Sequence, residues 1–360
     1  MQTISLCMIV KNEEQTLENC LSSVRNIVDE IVVVNTGSSD RTQEIARKYT
    51  DKVFEFTWVE DFSRARNYSF EQATKDYILW LDADDIIQPN DQVKLKQLKE
   101  SLDPSVDCIM MKYNAGFDAN GNVTFSYYRE RLVKRERHFQ WKEPVHEYLE
   151  VFGKVIRSDV SVTHTKTHSS PSSRNLAIYE RLLSQKEELS PRGIYYYARE
   201  LKDNGRYQEA IQFFNLFLDS EKGWIEDNIT ACAELAKCYE HEKLPKQQHL
   251  ILLQSFLYDT PRAEICCAIG YIYKSKEDYR RAAYWFQVAT TLQKPENGWG
   301  FIQDDCWGYI PLIELAVCYD KLGMPQLAEE YNESAGKLKP EDWSVQYNRK
   351  YFKSLKMDND

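Results

Sequence analysis

Apolar positions in the first half of the chain fall into short runs separated by helix-spaced patterns. Ile4 to Val10 is an apolar β run. Glu14 to Val28 carries Leu17, Leu21 and Val24 at helical spacing, and Glu30 to Val34 is the continuous β-branched run of a buried parallel strand. Ser39 to Tyr49 predicts a short helix with Ser39 or Asp40 as its cap. Val53 to Phe56 predicts a strand, Ser63 to Thr74 a helix and Tyr77 to Leu81 a further strand, which runs into the acidic cluster Asp82-Ala83-Asp84-Asp85. Strictly alternating strands and helices imply a mostly parallel sheet with right-handed crossovers. Ligands of such sheets bind beyond the carboxyl ends of the strands. Asn35 and Asp82 stand at two such ends.

The pattern changes after residue 105. Cys108 to Tyr113 and Val123 to Tyr128 flank an Asn120-Gly121 turn and predict a hairpin. Arg131 to Val133 and Ser158 to Thr163 predict further strands. Ser169-Ser170-Pro171-Ser172-Ser173 is the expected linker, and only helical patterns follow it. Those patterns repeat. Ala198, Ala236, Gly270 and Ala316 each precede a turn residue by nine positions: Tyr207, Pro245, Tyr279 and Pro325. Three positions further on stand Ala210, Gln248, Ala282 and Ala328, of which only Gln248 is not small. The turns are 38, 34 and 46 residues apart, the last spacing stretched by an aromatic loop over 296–308. Small residues at fixed offsets let paired helices approach closely, and stacked pairs bury a shared core. The expected division is therefore an α/β domain over 1–168, a linker and connecting helix over 169–189, and helical repeats over 190–360.

Composition adds limits. The 360 residues suit two domains. A net charge of -10 argues against nucleic acid as a partner, because neutralising phosphates takes surplus Lys and Arg. No apolar run approaches the ~20 residues that span a bilayer. The N-terminus enters a strand pattern with no charged region or cleavage site before it, which predicts a cytoplasmic protein without a transmembrane segment. Nine cysteines follow no disulfide or zinc spacing, so they are expected as buried, reduced thiols.

Asp82-Ala83-Asp84 is the sharpest chemical feature. In an extended segment residues i and i+2 share a side. Two carboxylates so placed make a hard oxygen site for Mg²⁺ or Mn²⁺, completed by diphosphate oxygens. Such a metal neutralises charge on a departing nucleoside diphosphate.

Four ordered motifs give residues 3 to about 165 a resemblance to family 2 glycosyltransferases of the GT-A fold. They are Ser5 to Glu14, Val33 to Thr42, Phe62-Ser63-Arg64-Ala65-Arg66-Asn67, and Leu81 to Asp85. The second half resembles the tetratricopeptide repeat, most closely over Asn204-Gly205-Arg206-Tyr207-Gln208-Glu209-Ala210. The implied fold class is an α/β GT-A domain, Rossmann-like with a mostly parallel sheet, followed by an all-α tetratricopeptide-like repeat domain. The two together resemble the peptide S-glycosyltransferases of bacteriocin biosynthesis, and also bacterial enzymes of surface-glycan synthesis.

The resemblance implies roles. Val10, Asn12, Glu13, Asn35, Arg66 and Asp82 would line the nucleotide site. Many members carry an acidic residue where this chain has Asn35, whose amide can still meet a pyrimidine edge; this departure leaves the choice among UDP, GDP and other donors open, with a UDP-sugar favoured. Asp84 and His164, the latter ending the segment Val160 to His164, would hold the metal. The segment Trp141-Lys142-Glu143-Pro144-Val145-His146-Glu147 would lie on the acceptor side. Inverting transfer needs a base for the acceptor's proton. Glu147 is the first candidate, with His146 orienting it and Glu143 and Asp85 as the others; a structural ion pair is the alternative for Glu147. His138 and His168 are weaker candidates, and His241 and His249 read as helix-surface residues. The acceptor is open: a peptide Cys, Ser or Thr, or a glycan or lipid carrier. A tetratricopeptide adaptor with an inactive transferase domain is the non-enzymatic alternative. A nucleotidyltransferase is disfavoured, because Ile9 to Glu13 lacks a glycine-rich phosphate loop. Finally, Trp343, Tyr347, Tyr351 and Phe352 exceed what a solvated end needs, which predicts a homodimer contact or, as the rival, an internal cap.

Overall fold

The computed structural model describes residues 1–117, 121, 123–165, 172–295 and 303–357. Asn120 of the expected turn, residues 169–171 of the expected linker, His168, and residues 296–302 of the expected aromatic loop lie outside the described residues. The chain divides into two units, Met1–Leu189 and Ser190–Asp360.

The first unit opens with the predicted alternation. Its elements are β1 (Ile4–Val10), α1 (Leu17–Val24), β2 (Glu30–Asn35), α2 (Thr42–Arg47), β3 (Val53–Glu55), α3 (Phe62–Glu71) and β4 (Tyr77–Trp80). There follow β5 (Asp85–Ile86), α4 (Pro89–Ser101), β6 (Cys108–Phe117), β7 (Val123–Lys134), β8 (Trp141–Lys142), β9 (Tyr148–Leu149), β10 (Val155–His164) and α5 (Ser172–Ser184). One sheet runs β3-β2-β1-β4-β7-β6-β10-β5. Its first four strands are parallel, as the crossovers require. β7 pairs antiparallel to both β4 and β6, so the expected hairpin is built into the same sheet. Arg131 to Val133 is the end of β7 rather than a separate strand.

Apolar side chains fill both faces of this sheet. One core joins Leu6, Met8 and Val33 to Leu17 and Leu21 of α1 and Leu95 of α4. The other joins Cys7, Val32 and Trp80 to Phe70 of α3 and Trp141 of β8. Helix α4 has no counterpart among the expected elements. Its sequence is mostly polar, and Leu95 is its one buried side chain. Helices α1 and α2 are shorter than expected. The loop before α1 is spent on hydrogen bonds to the β2–α2 loop, with Glu13 N–H donating to Thr42 Oγ1 and Glu14 N–H to Asp40 Oδ2. Helix α5 is counted with the first unit, and its Tyr179 is wholly buried.

The second unit is helical: α6 (Pro191–Asp203), α7 (Tyr207–Asp219), α8 (Ile225–His241), α9 (Pro245–Gln254), α10 (Ala263–Lys274), α11 (Tyr279–Thr291), α12 (Tyr309–Lys321), α13 (Pro325–Leu338) and α14 (Trp343–Met357). The four recurring turn residues are the first residues of α7, α9, α11 and α13. Ala198, Ala236 and Ala316 are buried with Ala210, Ala282 and Ala328, so each small residue sits where helices touch. At Gly270 an added Cβ would lie 2.8 Å from the buried ring of Phe286, which explains a glycine inside a helix. The odd position, Gln248, belongs to α9, which buries only Ile251 and Leu252.

All nine cysteines are free and buried, as expected. Among the described residues no helix is long and apolar enough to cross a membrane. Of the C-terminal aromatics, Phe352 is buried. Trp343 and Tyr347 stack on each other and remain 74% and 57% exposed.

Candidate active site

Strand β4 delivers the chain to a tight turn. Asp82 N–H donates to Asp85 Oδ2 at 3.1 Å, and Asp85 N–H returns a bond to the Asp82 carbonyl at 3.0 Å. Residues 83 and 84 are a turn, not an extended segment, so the alternation that would put the Asp82 and Asp84 side chains on one side does not apply. The same-side expectation is corrected here: Asp82 meets Arg66, and Asp84 meets His164.

The group that converges is Asp84, Asp85 and His164, whose ligand atoms all lie within 4.8 Å of one another. Strand pairing causes it. β5 and β10 run antiparallel with His164 opposite Asp85. His164 Nδ1 stands 3.5 Å from Asp84 Oδ2 and 3.7 Å from Asp85 Oδ1. The Asp84 carbonyl is pinned by Thr165, which donates both N–H and Oγ1–H at 2.8 and 2.7 Å. Buried polar atoms are normally hydrogen-bonded, yet Asp85 Oδ1 and His164 Nδ1 are buried and have no hydrogen-bond partner. Two ligands held about 2.1 Å from one ion sit roughly 3–4 Å apart, so a single divalent cation fits these spacings. The electrostatics agree. Burial, with repulsion from Asp82, Asp85 and Glu13 outweighing the pull of His164, pushes the Asp84 carboxyl up to about 6. The carboxylates of Asp85 and Asp84 raise His164 against the opposing effect of burial.

Asp85 is itself fully buried, in an ion pair with the equally buried Arg131 at 2.9 Å. Arg131 also donates to the Trp80 carbonyl and lies 3.9 Å over the Trp80 ring. A carboxylate so enclosed cannot reach an acceptor hydroxyl, which removes Asp85 from the candidate bases.

Arg66 forms the second centre. Asp61 caps α3 by accepting from Arg64 N–H, and the buried face of the helix carries Ser63, Arg66, Ser69 and Phe70. Arg66 Nη2 donates to Asp82 Oδ1 and Nε to Glu147 Oε1, both at 2.7 Å. Its guanidinium lies 5.0 Å from the Trp80 ring and 4.8 Å from the Trp141 ring. Burial would raise the Asp82 carboxyl, but the charges of Arg66 and Arg131 win and hold it well below the usual carboxylate range. The 141–147 segment is fastened to α3. Asn67 and Trp141 exchange two hydrogen bonds at 2.8 and 3.0 Å, and Phe62 N–H donates to the Pro144 carbonyl at 2.8 Å. Short strands β8 and β9 close the ribbon, with Glu143 and His146 at positive φ in its loop. Thus the Phe62 to Asn67 and Trp141 to Glu147 motifs form one substructure.

The remaining expected residues gather at the ends of β1 and β2. The Val10 carbonyl accepts from Thr36 N–H, and Asn12, at positive φ, accepts from Ser39 N–H. Glu13 accepts from Thr16 Oγ1 at 2.6 Å. The Asn35 amide is buried and engaged: it donates to Glu55 Oε2 at 2.8 Å and accepts from Ser38 N–H. Sequence reasoning missed Glu55, Arg131 and the ligand position of Asp85. Glu55 pairs with Asn35 across β2 and β3, and Asp85 with His164 across β5 and β10, registers with no local sequence signal.

Replacing Asp85 by Asn leaves Arg131 buried without its partner charge, so Asp85→Asn is expected to cost about 3–5 kcal/mol of stability. Asp84→Ala removes a strained, partly exposed carboxylate and should change stability by less than about 0.5 kcal/mol. Urea denaturation followed by circular dichroism measures both, and equal losses would contradict the distinction.

Residues 5–161 match the model of Glycosyl transferase family 2, and residues 263–294, which hold α10 and α11, match the Tetratricopeptide repeat. A TPR repeat-containing protein of Synechococcus elongatus is 34% identical over 150 residues, covering 42% of this chain and 36% of that one. The SPbeta prophage-derived glycosyltransferase SunS of Bacillus subtilis is 26% identical over 235 residues, covering 61% and 54%. The chain thus spans about a third to a half of the length of these curated relatives. A crystal structure of S. aureus TarS 1-349 in complex with UDP-GlcNAc is 14% identical and covers 77% of this chain and 92% of that one, with a TM-score of 0.38. Residues 5–161 are therefore a family 2 glycosyltransferase domain, which this chain joins to tetratricopeptide-like repeats.

Proposed function

We propose that the chain is a metal-dependent, inverting glycosyltransferase of the cytoplasm that moves a sugar from a nucleotide-sugar donor, UDP-sugars first, to a peptide Cys, Ser or Thr. The observation that carries this reading is the convergence of Asp84, Asp85 and His164 in the turn that also holds Asp82 against Arg66 and Glu147. Mg²⁺ or Mn²⁺, held by Asp84 and His164 with Asp85 behind them, would neutralise the departing diphosphate. Val10, Asn12, Glu13 and Asn35 frame the nucleotide, and the exposed Glu55 offers a carboxylate beside Asn35. Arg66 fixes Asp82 toward the donor and Glu147 toward the acceptor. As the acceptor oxygen or sulfur attacks the anomeric carbon, the bond to the diphosphate oxygen breaks on the opposite face. The acceptor's proton passes to the Glu147 carboxylate, with His146 beside it in the ribbon. The ion pair to Arg66 holds the Glu147 side chain in one place. The repeats supply surface for a peptide acceptor; a glycan or lipid carrier is the other acceptor class that a transfer screen would reveal.

Asp84→Ala should abolish both transfer and donor hydrolysis, and should remove the Mn²⁺ dependence of UDP binding seen by calorimetry. Metal-independent turnover in that variant would sink the assignment. Glu147→Gln keeps the shape of the side chain but not the proton acceptor, so turnover should fall by ~10²–10⁴ while donor affinity changes less than about threefold. If Glu143→Gln alone has that effect, Glu143 is the base.

The exposed Trp343–Tyr347 stack supports a homodimer contact through α14. Light scattering at micromolar concentration should give twice the chain mass, and Trp343→Ser with Tyr347→Ser should give the monomer. A monomeric wild type rules the contact out.

A further inference from the structure

Three guanidinium groups gather on the indole of Trp80: Arg131 at 3.9 Å, Arg129 at 4.7 Å and Arg66 at 5.0 Å from the ring centre. Two of them are committed. Arg66 is spent on Asp82 and Glu147, and Arg131 on Asp85 and the Trp80 carbonyl. Arg129, on β7, differs. Among the described residues no hydrogen bond and no ion pair engages its guanidinium, although it is half-buried and feels the charges of Asp82 and Glu147. The carboxylates near it are already bridged by Arg66, so they do not draw it into contact.

An arginine presents five donors in a rigid fork that matches phosphate and carboxylate oxygens in pairs. Laid over an aromatic ring, the fork is fixed in plane and needs little further ordering to bind. Long-range balance against the acidic turn accounts for a positive charge at this place. It does not account for donors left unspent beside the proposed base. We propose that Arg129 is an oxyanion subsite, taking two oxygens of a phosphate or carboxylate group on a bound substrate. The oxyanion comes either from the donor's diphosphate or from an anionic group on the acceptor. The identity of that substrate rests on the transferase reading; the subsite itself does not.

Calorimetry with Mg²⁺ at a fixed concentration tests it, using UDP, uridine, inorganic pyrophosphate and inorganic phosphate. The proteins are the wild type, Arg129→Gln and Arg129→Lys, with thermal midpoints matched as the folding control. If the donor supplies the oxyanion, Arg129→Gln weakens UDP and pyrophosphate at least tenfold and leaves uridine unchanged. If the acceptor supplies it, UDP binds normally to Arg129→Gln, and phosphate binding to the UDP-loaded protein is lost. In either case Arg129→Lys keeps the charge but not the fork and recovers less than half of the loss in logarithmic terms. Should Arg129→Gln not fold, Arg129→Lys is read alone against the same ligands. Binding of all four ligands within twofold of the wild type in the folded variants overturns the proposal, as does full recovery in Arg129→Lys. Arg129-dependent phosphate binding by a protein that ignores UDP and uridine would keep the subsite and discard the transferase reading.

Discussion

The guanidinium of Arg66 packs against two edge-to-face indoles and bridges Asp82 to Glu147, and the candidate site is organised around that contact. Taking a guanidinium and two carboxylates out of water is costly unless each charge is met with good geometry. Here both bonds are 2.7 Å, and the aromatic faces cover the cation. The consequence reaches well beyond one side chain. Asp82 belongs to the β4–β5 turn, Arg66 to α3, and Glu147 to the ribbon closed by β8 and β9. One cation therefore sets the relative positions of three separate segments. The two hydrogen bonds between Asn67 and Trp141 make the same connection through the backbone, so the ion pair is not left to hold the ribbon alone.

A second buried ion pair, Arg131 with Asp85, also packs on the Trp80 ring. It spends one oxygen of Asp85 and turns the other toward His164. The two arginines thus divide the acidic turn between them. Asp82 is drawn to the Glu147 side, while Asp84 and Asp85 are left with His164. That division separates a cluster able to hold a cation from a carboxylate able to accept a proton, within one short stretch of chain.

Much of this was legible in the residues. The β-branched run at Glu30 to Val34 and the helix-spaced leucines of α1 announce a parallel sheet, because burial on both faces leaves no other pattern. The nine-residue offset before Tyr207, Pro245, Tyr279 and Pro325 was legible for a geometric reason: each is the first residue of the second helix of a pair. What escaped depends on register. Asp85 and His164 are cross-strand partners, and so are Asn35 and Glu55, but two-residue and three-residue strands carry no pairing signal. Asp85 reads in sequence as a candidate base in an acidic cluster, whereas its burial against Arg131 follows from where β7 passes. Helix α4 escaped because it buries one leucine and is otherwise mostly polar. The extended reading of Asp82 to Asp84 failed because hydrogen bonds within the turn outweigh continuation of the strand.

The central claim is that Asp84 and His164, with Asp85 behind them, hold a divalent cation against a nucleoside diphosphate. Anomalous diffraction from crystals grown with Mn²⁺ and UDP measures this directly. The account predicts one strong manganese peak within about 2.0–2.3 Å of an Asp84 carboxylate oxygen and His164 Nδ1, with the diphosphate on its open side. UDP bound in the site with no manganese peak there, or with manganese held by other residues, would contradict it.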